Sequence, residues 1–230
     1  MSKIAWGAEG QKYYEAGVDR GVLYTKNGEE LYGKATAWDG LVNVEESPSG
    51  AESTALYADN VKYGEIISNE DFGYTIEAYT SPEEFRACDG SKEIAPGVYA
   101  GMQNREVFGF SYRTKIGNDT DGIDYGYKIH VVYGSKAKPS SRSRATINEN
   151  VEAMTMSWEA TTTPVAVGEV NGTEFKPTSH IEIDSTKIDK DKLAALEDLL
   201  YGTESTDGKL PMPKEIIALM TGTDEPGAEG

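Results

Sequence analysis

The sequence predicts a mainly-β fold, an antiparallel sandwich or barrel with one short packed helix and a helical C-terminal extension. Three observations carry this. Apolar and polar residues alternate with period two through 107–116, 127–133 and 154–159, the pattern of strands with one inward face. Turn formers punctuate the chain at short intervals, Asn27-Gly28 foremost, because both tolerate the positive φ of a two-residue hairpin. Apolar content is only 38%, yet fourteen Tyr, five Phe and three Trp are there to fill an interior, which suits sheets with one wet face.

Taken in order, residues 1–19 are polar and Gly-rich and read as an N-terminal arm, and a β domain follows over 20–185. Segments 22–25, 32–37, 41–45, 54–58 and 72–79 read as its first strands, with Ser47-Pro48-Ser49-Gly50 as a flexible loop. Ser81 as cap, Pro82 in the first turn and Glu84 closing a capping box predict a helix over 82–88 that Gly90 ends. The alternation then selects Phe108, Phe110, Tyr112, Ile129, Val131, Met156 and Trp158 as core residues. Residues 161–167 and 180–184 read as two more strands, linked through an Asn171-Gly172 turn. Beyond 186 the period becomes helical. Leu193, Leu196, Leu199 and Leu200 form a stripe ended by Gly202, and Ile216, Ile217 and Met220 mark a second helix after a 202–213 linker. The composition of 224–230 is that of a disordered end.

Thirty-nine acidic against twenty-two basic residues give a formal charge of −17, which opposes stable binding to nucleic-acid phosphates or anionic lipid. A single cysteine, Cys88, allows no intrachain disulfide and suits a reducing compartment. The opening residues lack the long apolar stretch of a signal peptide, and no run nears the roughly 18 apolar residues of a membrane span. A soluble, unsecreted protein is expected.

The motifs of common chemistries are incomplete. Residues 28–35 approach a phosphate-binding loop, but Ala35 stands where magnesium needs a Ser or Thr hydroxyl, and strand-like sequence follows. Asp119, Asp121 and Asp124 hint at calcium, but counting from Asp119 puts Asp124 where an EF-hand needs Gly and His130 where it needs Glu. A polar hairpin loop accounts for them. His130 and His180 lack metal-ligand spacing to each other or to Cys88. The expectation is no catalytic residues, no cofactor and no metal. Lys136, Lys138, Arg142 and Arg144 place four cations in 134–145 with no acid among them, either a solvated loop or an arm that docks on an acidic neighbour.

The order and spacing of several segments are similar to the major tail, or tail-tube, proteins of long-tailed bacteriophages, especially those of Gram-positive hosts. Residues 106–120, 126–134 and 157–165 carry the likeness, joined by 40–45 and 75–79, over roughly 20–185. The resemblance implies a tail-tube-type β-sandwich whose hexameric rings stack around a channel that DNA crosses without specific binding. The partners it implies are further copies of the chain and other tail proteins, in a virion whose proteins are made in the host cytoplasm, with no membrane. On this reading Lys136, Lys138, Arg142 and Arg144 are inter-subunit contacts. Asn43 and Glu45, opposite Val42 and Val44, would line the lumen with Glu52 and Asp59, unless all four face outer solvent. The alternatives are a non-catalytic binding module, for instance for carbohydrate, or another ring-forming tail or secretion-tube component.

Overall fold

Asn27 and Gly28, the latter at φ +59°, reverse the chain between its first two strands as the sequence predicts. The computed structural model describes residues 4, 6–147, 153–170 and 172–222. Through them run β1 (Tyr14–Asn27), β2 (Glu30–Trp38), β3 (Leu41–Glu46), β4 (Ser49–Gly50), β5 (Ser53–Ala58), β6 (Val61–Ile67), β7 (Glu70–Asp71) and β8 (Gly73–Ala78). Helix α1 (Phe85–Cys88) precedes β9 (Lys92–Ala95), β10 (Val98–Ala100), β11 (Phe108–Asn118), β12 (Gly122–Ala137) and β13 (Met156–Thr161). The chain closes with β14 (Gly168–Val170), β15 (Thr173–Phe175), β16 (His180–Asp184), α2 (Lys190–Tyr201) and α3 (Pro213–Thr221). The mainly-β class holds, and its main sheet pairs are antiparallel.

Two sheets share one strand. The first runs β2-β1-β11-β12-β16 and the second β12-β13-β8-β3. Strand β12 serves both because it is long: its middle pairs with β16, while Lys136 and Ala137 at its end pair with β13. The change of sheet occurs beside Gly134, at φ +62°, where a Cβ would run into the Thr163 backbone. No other residue type fits that bend without strain.

The expected wet face is absent from the first sheet. Its inner face meets the second sheet through Leu23, Trp38, Phe108, Phe110, Tyr112 and Val132, packed on Tyr74, Ile76, Trp158 and Phe85. Its outer face carries Tyr24, Tyr32, Ile129, Val131, Tyr133 and Ile183, and these are covered by Leu193, Leu196, Leu200 and Ile216 of the two C-terminal helices. All the expected core residues are buried except Met156, which is half-buried. Ile129 and Val131, however, face the helices and not the second sheet. The C-terminal extension is therefore a third layer.

The details of α2 follow from its sequence. The Asp189 side chain accepts from the Asp191 and Lys192 amides, Leu193, Leu196 and Leu200 recur on one face, and Gly202 ends the helix at φ +80°. The linker to α3 is docked: the Ala35 amide donates to Gly208 O at 3.1 Å and the Leu210 amide to Tyr32 O at 3.2 Å. These bonds cover the outer edge of β2, which would otherwise be an open template for pairing.

Other expectations need correction. The N-terminal arm is shorter than 1–19, since Tyr14 already pairs with Gly117 of β11. The α1 helix is a single turn without a Ser81 cap, because the Glu84 carboxylate is drawn to Lys34 Nζ, 3.0 Å away. Residues 161–167 are not a strand beyond Thr161: Pro164 has no amide to donate, and only a Val165–Thr178 bridge persists. The hairpin β14–β15 surrounds the expected turn, but Asn171 itself, like 224–230, lies outside the described residues.

Candidate assembly surface and a histidine pair

The far edge of β3 has no backbone partner among the described residues, so the second sheet ends in an open ladder. A register shift between Leu41 and Asn43 changes which side chains face inward. Leu41 and Val44 pack on the core, and Val42, expected inside with Val44, is instead exposed. Asn43 and Glu45 are exposed as expected. Glu52 is exposed just before β5; its amide donates to Ser68 Oγ at 3.0 Å and its carbonyl accepts the Ser68 amide at 3.0 Å. Asp59 sits at a hairpin tip.

The strand expected at 54–58 is β5, but its partner β6, which makes 53–67 a hairpin, is the main feature the sequence reading missed. Strands β5 and β6 pair with each other and with no other strand. Asp59 and Asn60 turn the chain at φ +51° and +65°, the left-handed pair of a type I′ turn, and this Asp-Asn dipeptide was the available signal. The hairpin exposes Leu56, Val61, Ile66 and Ile67, with Tyr57 and Tyr63 exposed at 74% and 78%. An isolated two-stranded hairpin is marginal in water, and this one exposes apolar side chains on both faces, Leu56, Val61 and Ile66 on one and Tyr57 and Ile67 on the other, which marks it as made for contact.

The basic segment is partly committed within its own chain. Lys136 lies exposed on β12, Lys138 pairs with Glu159, and Arg142 pairs with Asp89 while its guanidinium lies 5.7 Å from the Trp158 ring centroid. Asp89 also binds Arg105 at 3.4 Å. Arg142 thus covers the core, and Lys136 and Arg144 are exposed and make no ion pair among the described residues.

On the first sheet, Arg113 grips Asp19 with two hydrogen bonds of 2.7 Å and lies 4.8 Å from the Tyr127 ring centroid. The bidentate guanidinium holds the Asp19 carboxyl below its ordinary 3.8. A depressed carboxyl stabilises the fold above its unfolded pKa, and that contribution is lost as pH falls through the folded value. The parent should therefore unfold at higher denaturant than Asp19→Asn at neutral pH. The gap should close as pH is lowered below about 3.8; a gap independent of pH would show that the ion pair is not its source.

His130 and His180, fifty residues apart in sequence, are neighbours. Strand β16 pairs with β12 so that Val132 faces His180 and His130 faces Glu182, and the two imidazoles meet diagonally with His130 Nδ1 3.2 Å from His180 Nε2. His130 is buried and stacks on Tyr112 at 4.6 Å, and His180 stacks on Phe72 at 4.8 Å. Burial lowers both from their ordinary 6.5, so both are neutral near pH 7. Glu46, at the end of β3, brings its carboxylate to 3.7 Å from His130 Nδ1 and accepts the Tyr112 hydroxyl at 2.5 Å.

The other sequence features resolve simply. The phosphate-loop look-alike is the β1–β2 hairpin, with no helix N-terminus behind it. Asn118 Oδ1 accepts the Thr120 and Asp121 amides, so the Asp-rich segment is a side-chain-capped hairpin loop. Cys88 is buried against Phe85, and burial pushes its thiol up to about 12, which leaves it unreactive. No family model matches the chain, and no curated protein matches it.

Proposed function

We propose that this protein is a structural subunit that assembles with copies of itself into stacked hexameric rings, forming a phage tail tube through which DNA passes. The observation that carries this reading is the apolar 53–67 hairpin next in the chain to an open sheet edge, β3. Both features leave binding capacity unused in a single chain: backbone groups along β3, and tyrosine and isoleucine side chains on the hairpin. Edge pairing between subunits would close the second sheets into one barrel, and the hairpin would reach a neighbouring copy. The resemblance over roughly 20–185 and the −17 charge, which keeps phosphate from adhering, point the same way. Asn43 and Glu45 are then lumen candidates, and Lys136 and Arg144 inter-subunit ones. No helix among the described residues is long and apolar enough to cross a membrane.

Electron microscopy of the concentrated protein should show rings or tubes. In Tyr57→Ser/Tyr63→Ser/Ile66→Ser the fold should persist, because exposed substitutions usually change stability by no more than about 0.5 kcal/mol each, while assembly is lost. A parent that stays monomeric at every concentration would remove the proposal, and a triple variant that assembles normally would remove the hairpin from it.

A further inference from the structure

We propose that His130, His180 and Glu46 form a site for one divalent transition ion of the zinc class, bound by two imidazole nitrogens and a carboxylate oxygen and bridging the two sheets. His130 and His180 belong to β12 and β16 of the first sheet, and Glu46 to β3 of the second. Their three ligand atoms all lie within 4.8 Å of one another, with the two nitrogens 3.2 Å apart. Two nitrogens bound at about 2.0–2.1 Å to a tetrahedral ion are roughly 3.3–3.4 Å apart, so the spacing needs almost no adjustment. The rings are parallel to within 2° and their nitrogens face one another, so only a tilt is needed for both lone pairs to converge.

The surrounding hydrogen bonds prepare these atoms. The Thr114 hydroxyl donates to Glu15 at 2.6 Å, so its oxygen must accept from His130 Nε2–H, 3.0 Å away. That fixes the His130 tautomer with Nδ1 bare and directed at His180. A metal-binding histidine characteristically donates its other N–H in this way, and the hydroxyl–carboxylate relay to Glu15 raises its basicity. Tyr112 does the equivalent for Glu46 by donating to its carboxylate. Without an ion, His180 Nε2–H donates to His130 Nδ1; binding uses the other neutral tautomer of His180, with its proton moved to Nδ1 and Nε2 bare for the ion. Both histidines are neutral near pH 7, as binding requires. Two imidazoles and one carboxylate favour zinc, cobalt, nickel or copper over calcium or magnesium, and a fourth position stays open towards exposed Glu46.

The test is to strip the full-length protein with chelator and titrate it with Co²⁺, then Zn²⁺. One saturable Co²⁺ per chain is expected, with the visible absorption of a four-coordinate ion, displacement by Zn²⁺ and a higher unfolding temperature. His180→Gln and Glu46→Gln, at half-buried and exposed positions, should keep the parent circular dichroism and bind at least tenfold more weakly. Thr114→Val, which breaks the relay, should weaken binding about 10–100-fold. The proposal is overturned if no saturable site is found, or if both ligand variants bind like the parent, since the ion would then be held by scattered surface carboxylates.

Discussion

Replacing Trp158 with Ala is expected to lower the unfolding free energy by about 3–5 kcal/mol, the cost of emptying a large core position. Trp158 is 1% exposed and pairs with Ile76 across the second sheet. Its ring meets Trp38 and Phe85 edge-on, with 5.5 Å between centroids in each case. These are the favoured geometries of aromatic pairs, so the loss exceeds simple area burial. Above the ring, Arg142 closes the site against water. Trp158 Nε1 has no hydrogen-bond partner among the described residues, so Trp158→Phe forfeits volume but no hydrogen bond and should cost clearly less. Denaturant unfolding of the three proteins checks both statements; equal midpoints for parent and Trp158→Ala would place the ring outside the core.

A chain ended after Lys187 should lose cooperative unfolding altogether. Leu196 and Leu200 are each 0% exposed, and either one changed to Ala should cost about 2–5 kcal/mol. Removing both helices strips the entire cover from the outer face of the first sheet, and the summed loss exceeds the roughly 5–15 kcal/mol that holds a domain together. Tyr24 would also lose its acceptor, Leu200 O at 3.1 Å, and Tyr133 its acceptor, Pro211 O at 2.8 Å. The expected product keeps far-UV β signal, loses near-UV signal and binds ANS. Sharp two-state unfolding of the truncated chain would show that the helices are an appendage after all.

What the sequence disclosed is what local chemistry decides. The Asn27-Gly28 turn, the strands around Phe110 and Ile129, and the leucine stripe of α2 depend on neighbours a few residues away. Burial of both faces of the first sheet was not legible, because period-two alternation says only that two faces differ. Val132 and His130 against Ile129 and Val131 are two buried faces with different neighbours. The histidine pair was hidden for a related reason: its spacing exists only in the register of β16 on β12, which no local pattern encodes. The pairing of Arg142 within its own chain was not legible either, because its partner Asp89 lies 53 residues away. The open β3 edge is a statement about what is missing beside a strand, and that becomes visible only when the whole sheet order is known.

The pairing of β1 with β11 has a consequence for how the chain is made. Tyr14 must wait for Gly117 before the first sheet can close. At about 5–20 residues per second on the ribosome, that is a delay of roughly 5–20 seconds. During it the nascent chain can settle only pairings complete before residue 117, such as β1–β2, β5–β6 and β3–β8. The outer face then stays bare until α2 and α3, the last of the described elements in chain order, emerge and dock. Non-local pairing of this kind folds slowly and leaves sticky intermediates exposed. The chain is therefore shielded from such sticking only once the C-terminal layer has closed over the first sheet.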